Sequence, residues 1–145
     1  MSYLNLANMQ HCACGNLRKT TRALTQFFDQ YLQPTGLRST QCSLLINISL
    51  HGNISVGDLG TRLLMDQTTV TRNIEILRKH GYITIIKEEN DARKKSISIT
   101  ESGVKKLAEA VPFWEQAQLH IEQGLGAKRL QDFLKTLKEI ERLVE

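Results

Sequence analysis

The chain has 145 residues, the usual size of one domain, long enough to bury most of its unfolded surface without help from a metal or a disulfide. Hydrophobic residues make up 41% and charged residues 23%, a mix that excludes a disordered chain, and a formal charge of +4 suits a polyanionic partner. The charge is uneven: residues 1–54 carry four Lys/Arg against one acid, residues 55–100 eight against six and residues 101–145 seven against eight, so the last third is least suited to face a polyanion. No apolar run reaches the ~20 residues that span a bilayer, and Met1–Gln10 lacks the basic start and apolar core of a signal peptide. Three cysteines, an odd number, argue against a disulfide framework and fit a reducing cytoplasm. The expectation is a cytoplasmic protein with no membrane association.

From about Gln10 to Leu32, the residues Cys14, Leu17, Thr21, Leu24, Phe28 and Tyr31 recur at steps of three and four, one face of a long helix that Pro34 and Gly36 end. A second helix, about Thr40 to Leu50, is dense in Leu44, Leu45, Ile46 and Ile48 and is expected to be buried on most sides; Gly52 stops it. Ser55 followed three residues later by Asp58 resembles a capping box and starts a short helix to about Leu64. Asp66 then caps a helix from Gln67 to His80, with Gly81 placed to end it. Two short helices so close together form a helix-turn-helix.

Tyr82–Ile86 and Ser96–Ile99 are β-branched runs joined by the polar Glu88–Lys95 stretch, which predicts a hairpin with a long charged tip. Thr100 caps a helix from Glu101, Pro112 is expected to kink or break it, and Gly124 and Gly126 separate it from a last helix with Leu130, Phe133, Leu134, Leu137, Ile140 and Val144 at helical spacing. The fold class that follows is mainly α with a small β-hairpin wing: a winged helix-turn-helix flanked by apolar N- and C-terminal helices that need a partner.

Val70, Ile74 and Leu77 form the anchored stripe of the Gln67–His80 helix, while Thr68, Thr71, Arg72, Glu75 and Lys79 lie opposite. A recognition helix needs this division, since short donors and cations fit a major groove roughly 12 Å wide. Gln67, Thr68, Thr69 and Thr71 occupy its first turns, where side chains and free amides meet phosphates and base edges. A solvated helix face explains that pattern equally well when taken alone. The wing favours DNA: Asp91-Ala92-Arg93-Lys94-Lys95 sets three cations at a tip, and Arg is suited to a narrow minor groove.

With those segments in hand, the sequence resembles the MarR family over nearly its whole length, in Ser55–Leu63, Asp66–Gly81, Asp91-Ala92-Arg93 and Ser98-Ile99-Thr100-Glu101-Ser102-Gly103. The resemblance implies a single MarR-like domain over 1–145, with a winged helix at about 38–100 and dimerisation helices at about 10–33 and 101–145. It implies that Arg93 reaches the minor groove with Asp91 orienting it, and that Gln67–Asn73, hence Gln67, Thr68, Thr69, Thr71, Arg72 and Asn73, lie in the major groove; Lys94 and Lys95 are expected to join Arg93 as DNA-contacting cations of the wing. The implied partners are double-stranded DNA bearing a pseudo-palindromic operator, a second copy of the chain, and a small-molecule, oxidant or metalloid inducer. No cofactor is implied.

The cysteines carry a separate reading. Cys14 and Cys42 suit small core positions, but negative charge on a thiolate early in the first helix is favoured by the helix dipole and by Arg18 and Lys19, the setting of an oxidant sensor. The hydroperoxide-sensing branch of the family has its cysteine about one turn later, near Leu17, so the match is offset. Alternatively Cys12, Cys14 and Cys42 gather as soft ligands for a thiophilic metal or metalloid; Cys-x-Cys alone does not identify one. His11, His51, His80 and His120 show no metal-ligand spacing, and no nucleotide loop or nucleophile turn appears, so an enzyme is not expected. A sequence-specific repressor released by a ligand or by thiol modification is the reading these features support best. The competing readings are an architectural winged-helix DNA binder without an inducer, a regulator with an ordinary organic-ligand pocket, and a winged helix used for protein contact.

Overall fold

The computed structural model describes residues 6–145, with the backbone alone at Glu88, Asp91, Ala92 and Arg93. Met1–Asn5, half of the stretch weighed above as a leader, lies outside the described residues. A 3-10 turn at Leu6–His11 leads into α1 (Ala13–Leu32), and a second at Gln33–Thr35 leads towards α2 (Ser39–His51). Then come β1 (Ile54–Ser55), α3 (Val56–Leu63), α4 (Gln67–Lys79), β2 (Ile83–Glu88), β3 (Asp91–Ile99), α5 (Glu101–Leu125) and α6 (Ala127–Leu143). The architecture is mainly α with a small antiparallel sheet, the winged-helix class expected.

The helix boundaries follow from the capping chemistry. Ser55 Oγ accepts from the Asp58 amide at 3.0 Å and opens α3; Asp66 Oδ1 accepts from the Thr69 amide at 2.8 Å and opens α4. At the far end of α4, the Tyr82 amide returns to the Leu77 carbonyl at 3.1 Å and the Gly81 amide to that of Arg78 at 2.9 Å. That is a Schellman closure, and Gly81 supplies its left-handed residue at φ 78°. Thr100 Oγ1 accepts from the Gly103 amide at 3.0 Å and donates to the Gly81 carbonyl at 2.6 Å, so one hydroxyl caps α5 and ties it to the end of α4. Gly103 is buried against the Tyr82 carbonyl and Ile99, where a side chain would have no room.

Several expectations change. The wing has a third strand: β1 pairs with β3, Ile54 opposite Ile97, giving the order β1-β3-β2. The long charged tip shrinks to Glu89 and Asn90, because β2 and β3 run on through the polar stretch, and the three cations lie on β3. The register steps from Lys87 opposite Lys95 to Glu88 opposite Asp91 and so passes over residues 92–94, an irregularity that bends the strand near the tip. Of the kink or break expected at Pro112, the break does not occur: α5 is continuous through it. A proline removes one helical hydrogen bond, and Ala110 and Ala117, both fully buried, hold the two sides of the helix to the rest of the molecule. Gly124 also stays helical, and Gly126 alone, at φ 87°, turns the chain into α6. The first helix begins at Ala13, after Cys12 instead of before it.

The core forms where α2, α4, the sheet and the start of α5 meet, around Leu44, Leu45, Ile48, Leu77, Ile83 and Ile97. On α5 the buried residues Gly103, Ala110 and Ala117 are small and seven apart; Gly103 lies against the wing, and the helix packs on α1 and α2. Among the described residues, α6 contributes no buried side chain. No described helix is long and apolar enough to cross a membrane.

Candidate nucleic-acid interface

Val70, Ile74 and Leu77 are buried and lock α4 to the core, leaving Gln67, Thr68, Thr71 and Arg72 exposed on its outer face. The capping carboxylate of Asp66, held below the usual carboxylate range chiefly by the Thr69 amide, fixes where the helix starts. Between α4 and the wing runs a groove of about 550 Å³, lined by Gln67, Thr71 and Glu75 on one side and Lys94 and Lys95 on the other. Ser55 and Gly57 close one end of it at the start of α3, over an apolar floor of Ile74 and Ile85.

The predicted residues thus divide into three groups. Gln67, Thr71, Lys94 and Lys95 share the groove, and Thr68 and Arg72 adjoin it on the flank shared with Gln67, Thr71 and Glu75. Thr69 and Asn73 turn the other way, half-buried, into a shallow cleft against Ser39, Thr40 and Ser43 of α2. Their polar atoms are partly used at home: Thr69 Oγ1 donates to Asp66 at 3.0 Å, and Asn73 Nδ2 to the Thr69 carbonyl at 2.8 Å. The side chains of Asp91 and Arg93 lie outside the described residues.

Sequence reasoning missed two features of this surface. Lys87 stands directly across the ladder from Lys95, so the described wing carries a cation on both strands. Glu75 is bound by Arg78, whose Nε donates to Oε2 at 2.9 Å and whose Nη2 donates to Oε1 at 2.5 Å. That fork holds the Glu75 carboxyl below its ordinary range, with Arg78, Lys79 and Lys95 adding to the effect, and raises the Arg78 guanidinium in turn. The i, i+3 spacing of Glu75 and Arg78 was available as a signal for this pair. Lys87 was hidden by ending the strand too early.

The cysteines do not converge within one chain. Among the described residues, no group of three His, Cys, Asp or Glu side chains is arranged to hold a metal. Cys12 is the cap of α1, its Sγ accepting from the Gly15 amide at 3.4 Å, and Cys14 Sγ accepts from Arg18 Nη2 at 3.5 Å. Both are exposed, whereas Cys42 is buried and its thiol is pushed up by that burial. The core-filling role weighed for Cys14 therefore does not hold inside a single chain. His120 packs on Phe27 with ring centroids 5.3 Å apart, and His80 stacks on Tyr82 at 5.6 Å.

A sequence profile described as the MarR family matches residues 35–94. The HTH-type transcriptional regulator SarZ of Staphylococcus epidermidis is 30% identical over 101 residues, 70% of this chain and 68% of SarZ. The organic hydroperoxide resistance transcriptional regulator of Bacillus subtilis is 27% identical over 133 residues, 90% of each chain. Among solved structures, the M. tuberculosis transcriptional regulator MosR in complex with DNA is 33% identical, with a TM-score of 0.81 over 92% of this chain and 98% of MosR.

Proposed function

This chain belongs to the MarR family of DNA-binding transcriptional regulators, and on that premise we propose that it acts as a homodimer on a pseudo-palindromic operator and loses affinity when thiols at the start of α1 are modified. In this reading α4 enters the major groove through Gln67, Thr68, Thr71 and Arg72, and the wing, with Arg93 at its irregular segment, enters the adjoining minor groove. The observation that carries it is the charge on the wing. Like charges placed directly opposite on a sheet destabilise it, and Lys87 stands opposite Lys95, which with Lys94 lines the α4 groove. A polyanion in the groove turns that cost into binding. MosR, similar over nearly the full chain, was solved on DNA.

The dimer is supported by what α1, α5 and α6 leave open. Leu24, Ile121, Leu125, Leu130 and Phe133 line an apolar cavity of about 480 Å³ at the junction of the three helices, and a second copy would cover it. Half-sites are then expected about one helical turn, roughly 10 bp, apart. The direct test is a gel shift with the DNA upstream of the protein's own coding sequence. Arg93→Ala should cost about 1–3 kcal/mol per half-site while leaving thermal melting unchanged. Unchanged affinity at physiological salt would remove the wing from the interface.

Thiol control rests on Cys14 first and Cys12 beside it, since both are open to solvent at the start of α1. Cys42, buried with its thiol pushed up, suits a core role. The similarity to a hydroperoxide resistance regulator supports the same chemistry. Oxidation or metalloid capture replaces a small side chain with a larger polar group. If that disfavours the DNA-bound dimer geometry by ~2.8 kcal/mol, operator affinity falls about a hundredfold. The triple variant Cys12→Ser/Cys14→Ser/Cys42→Ser should bind DNA and ignore hydroperoxide, diamide and arsenite, to which wild type responds. An equal response from both proteins would move control to an organic ligand lodged between the helices.

A further inference from the structure

Glu75 is the only acid on α4, and it stands in the wrong place for a surface built to hold DNA. It lines the groove with Lys94 and Lys95 and also the flank with Thr68 and Arg72, so a phosphate approaching either side meets its charge. It also occupies Arg78. The two-pronged pair uses both carboxylate oxygens, and both side chains remain about half exposed, at 42% for Glu75 and 48% for Arg78. The guanidinium is therefore within reach of solvent, but one edge of its fork is turned to Glu75. That edge, Nε and Nη2, is engaged by the carboxylate, and the paired charge attracts a phosphate less than a free guanidinium does.

We propose that Glu75 is a specificity-determining residue: by engaging Arg78 and keeping a negative charge on the α4 face, it weakens binding to non-cognate DNA more than binding to the operator. The inference rests on α4 being the DNA-facing helix. Its physical basis is that non-specific binding is almost wholly a matter of phosphates and cations, so a carboxylate and a sequestered guanidinium count against it in full. In a cognate complex, base-edge hydrogen bonds hold the helix in register. There a carboxylate can accept from a cytosine N4 amine, which returns part of what its charge costs.

The experiment uses two probes: the duplex that wild-type protein enriches from a random-sequence pool, and a scrambled duplex of the same composition. Glu75→Gln should raise affinity for the scrambled duplex about tenfold and for the enriched duplex less than about threefold. It should also steepen the salt dependence on the scrambled duplex by roughly 0.9 per newly contacted phosphate. Adding Arg78→Ala should remove the part of that gain owed to the freed guanidinium, while Arg78→Ala alone, which leaves the carboxylate unpaired, should weaken binding to the scrambled duplex. An unchanged affinity ratio in Glu75→Gln, or a gain left undiminished by removal of Arg78, overturns the proposal. Arg72→Ala separates this from failure of the parent reading. If it leaves both affinities unchanged, α4 is not the DNA face; if it weakens both while Glu75→Gln shifts nothing, the assignment to Glu75 alone is wrong.

Discussion

The winged half of the molecule and its helical arms are finished to different degrees. From Ser39 to Ile99, each helix places residues in the core and the sheet closes over them, with Leu45, Ile48, Leu59, Val70, Leu77 and Ile97 fully buried. In α1 the apolar stripe is only partly covered, and on α6 Phe133 and Leu134 remain 39% and 47% exposed. Both halves carry apolar periodicity, but only one satisfies it within its own chain. A stripe left open at this scale is what the proposed dimer would cover, and the comparison teaches that the segments closing the core differ from those that leave apolar surface open.

The strongest way to break that comparison is to charge the arm. Phe133→Glu with Leu134→Glu should leave the helical circular dichroism and the core of the winged half in place, because neither residue is buried within the chain. Sedimentation should then report a monomer, and operator affinity should drop at least about a hundredfold, equivalent to ~2.8 kcal/mol. A dimer that persists would mean that α6 is not the assembly surface. Unfolding of the whole chain would mean that the two halves are not separable.

The junction between the two halves should answer to steric insult in the opposite way. At Gly103 an added methyl would collide with the Tyr82 carbonyl oxygen and Ile99 Cγ1, and backbone is a poor partner to displace. Gly103→Ala should therefore cost about 1–3 kcal/mol of stability, read as a lower melting temperature. Oligomeric state at low temperature should be unaffected. An unaltered melting curve would show that α5 can slide on the wing, and that the junction between the halves is looser than the contact implies.

The same contrast governs what could be read in advance. Local chemistry was legible: Ser55, Asp66 and Thr100 were each recognisable as caps, and each makes the expected side-chain bond to the third residue of its helix. Non-local pairing was not. β1 is two residues long and exists because Ile54 meets Ile97, more than forty positions away, so no periodicity announces it. The outer part of the wing was taken for loop because Lys87 and Lys94-Lys95 lack alternating apolar residues. Its strands are held by cross-strand backbone pairing, which a sequence pattern does not display. The face of α4 was legible as a stripe. That Thr69 and Asn73 turn to α2 depended on side-chain geometry.

One residue of the finished half stands in a conformation that its own side chain disfavours. Leu64 closes α3 in the left-handed region at φ 52° and ψ 38°, and its side chain is 76% exposed at the turn leading to α4. A branched side chain there costs roughly 1 kcal/mol of backbone strain, and the exposed leucine recovers little by burial. Glycine relieves the strain but adds freedom to the unfolded chain, so Leu64→Gly should be close to neutral. Asparagine tolerates the conformation while giving up less entropy, and Leu64→Asn should therefore stabilise the protein by about 0.5 kcal/mol. Paired melting and DNA-binding measurements on the asparagine variant decide why the leucine stands there. A stabler protein with weaker operator binding assigns the leucine to contact with DNA sugars or thymine methyls. A stabler protein with unchanged binding makes the strain incidental, and a less stable one would show that Leu64 packs in a way its exposure does not suggest.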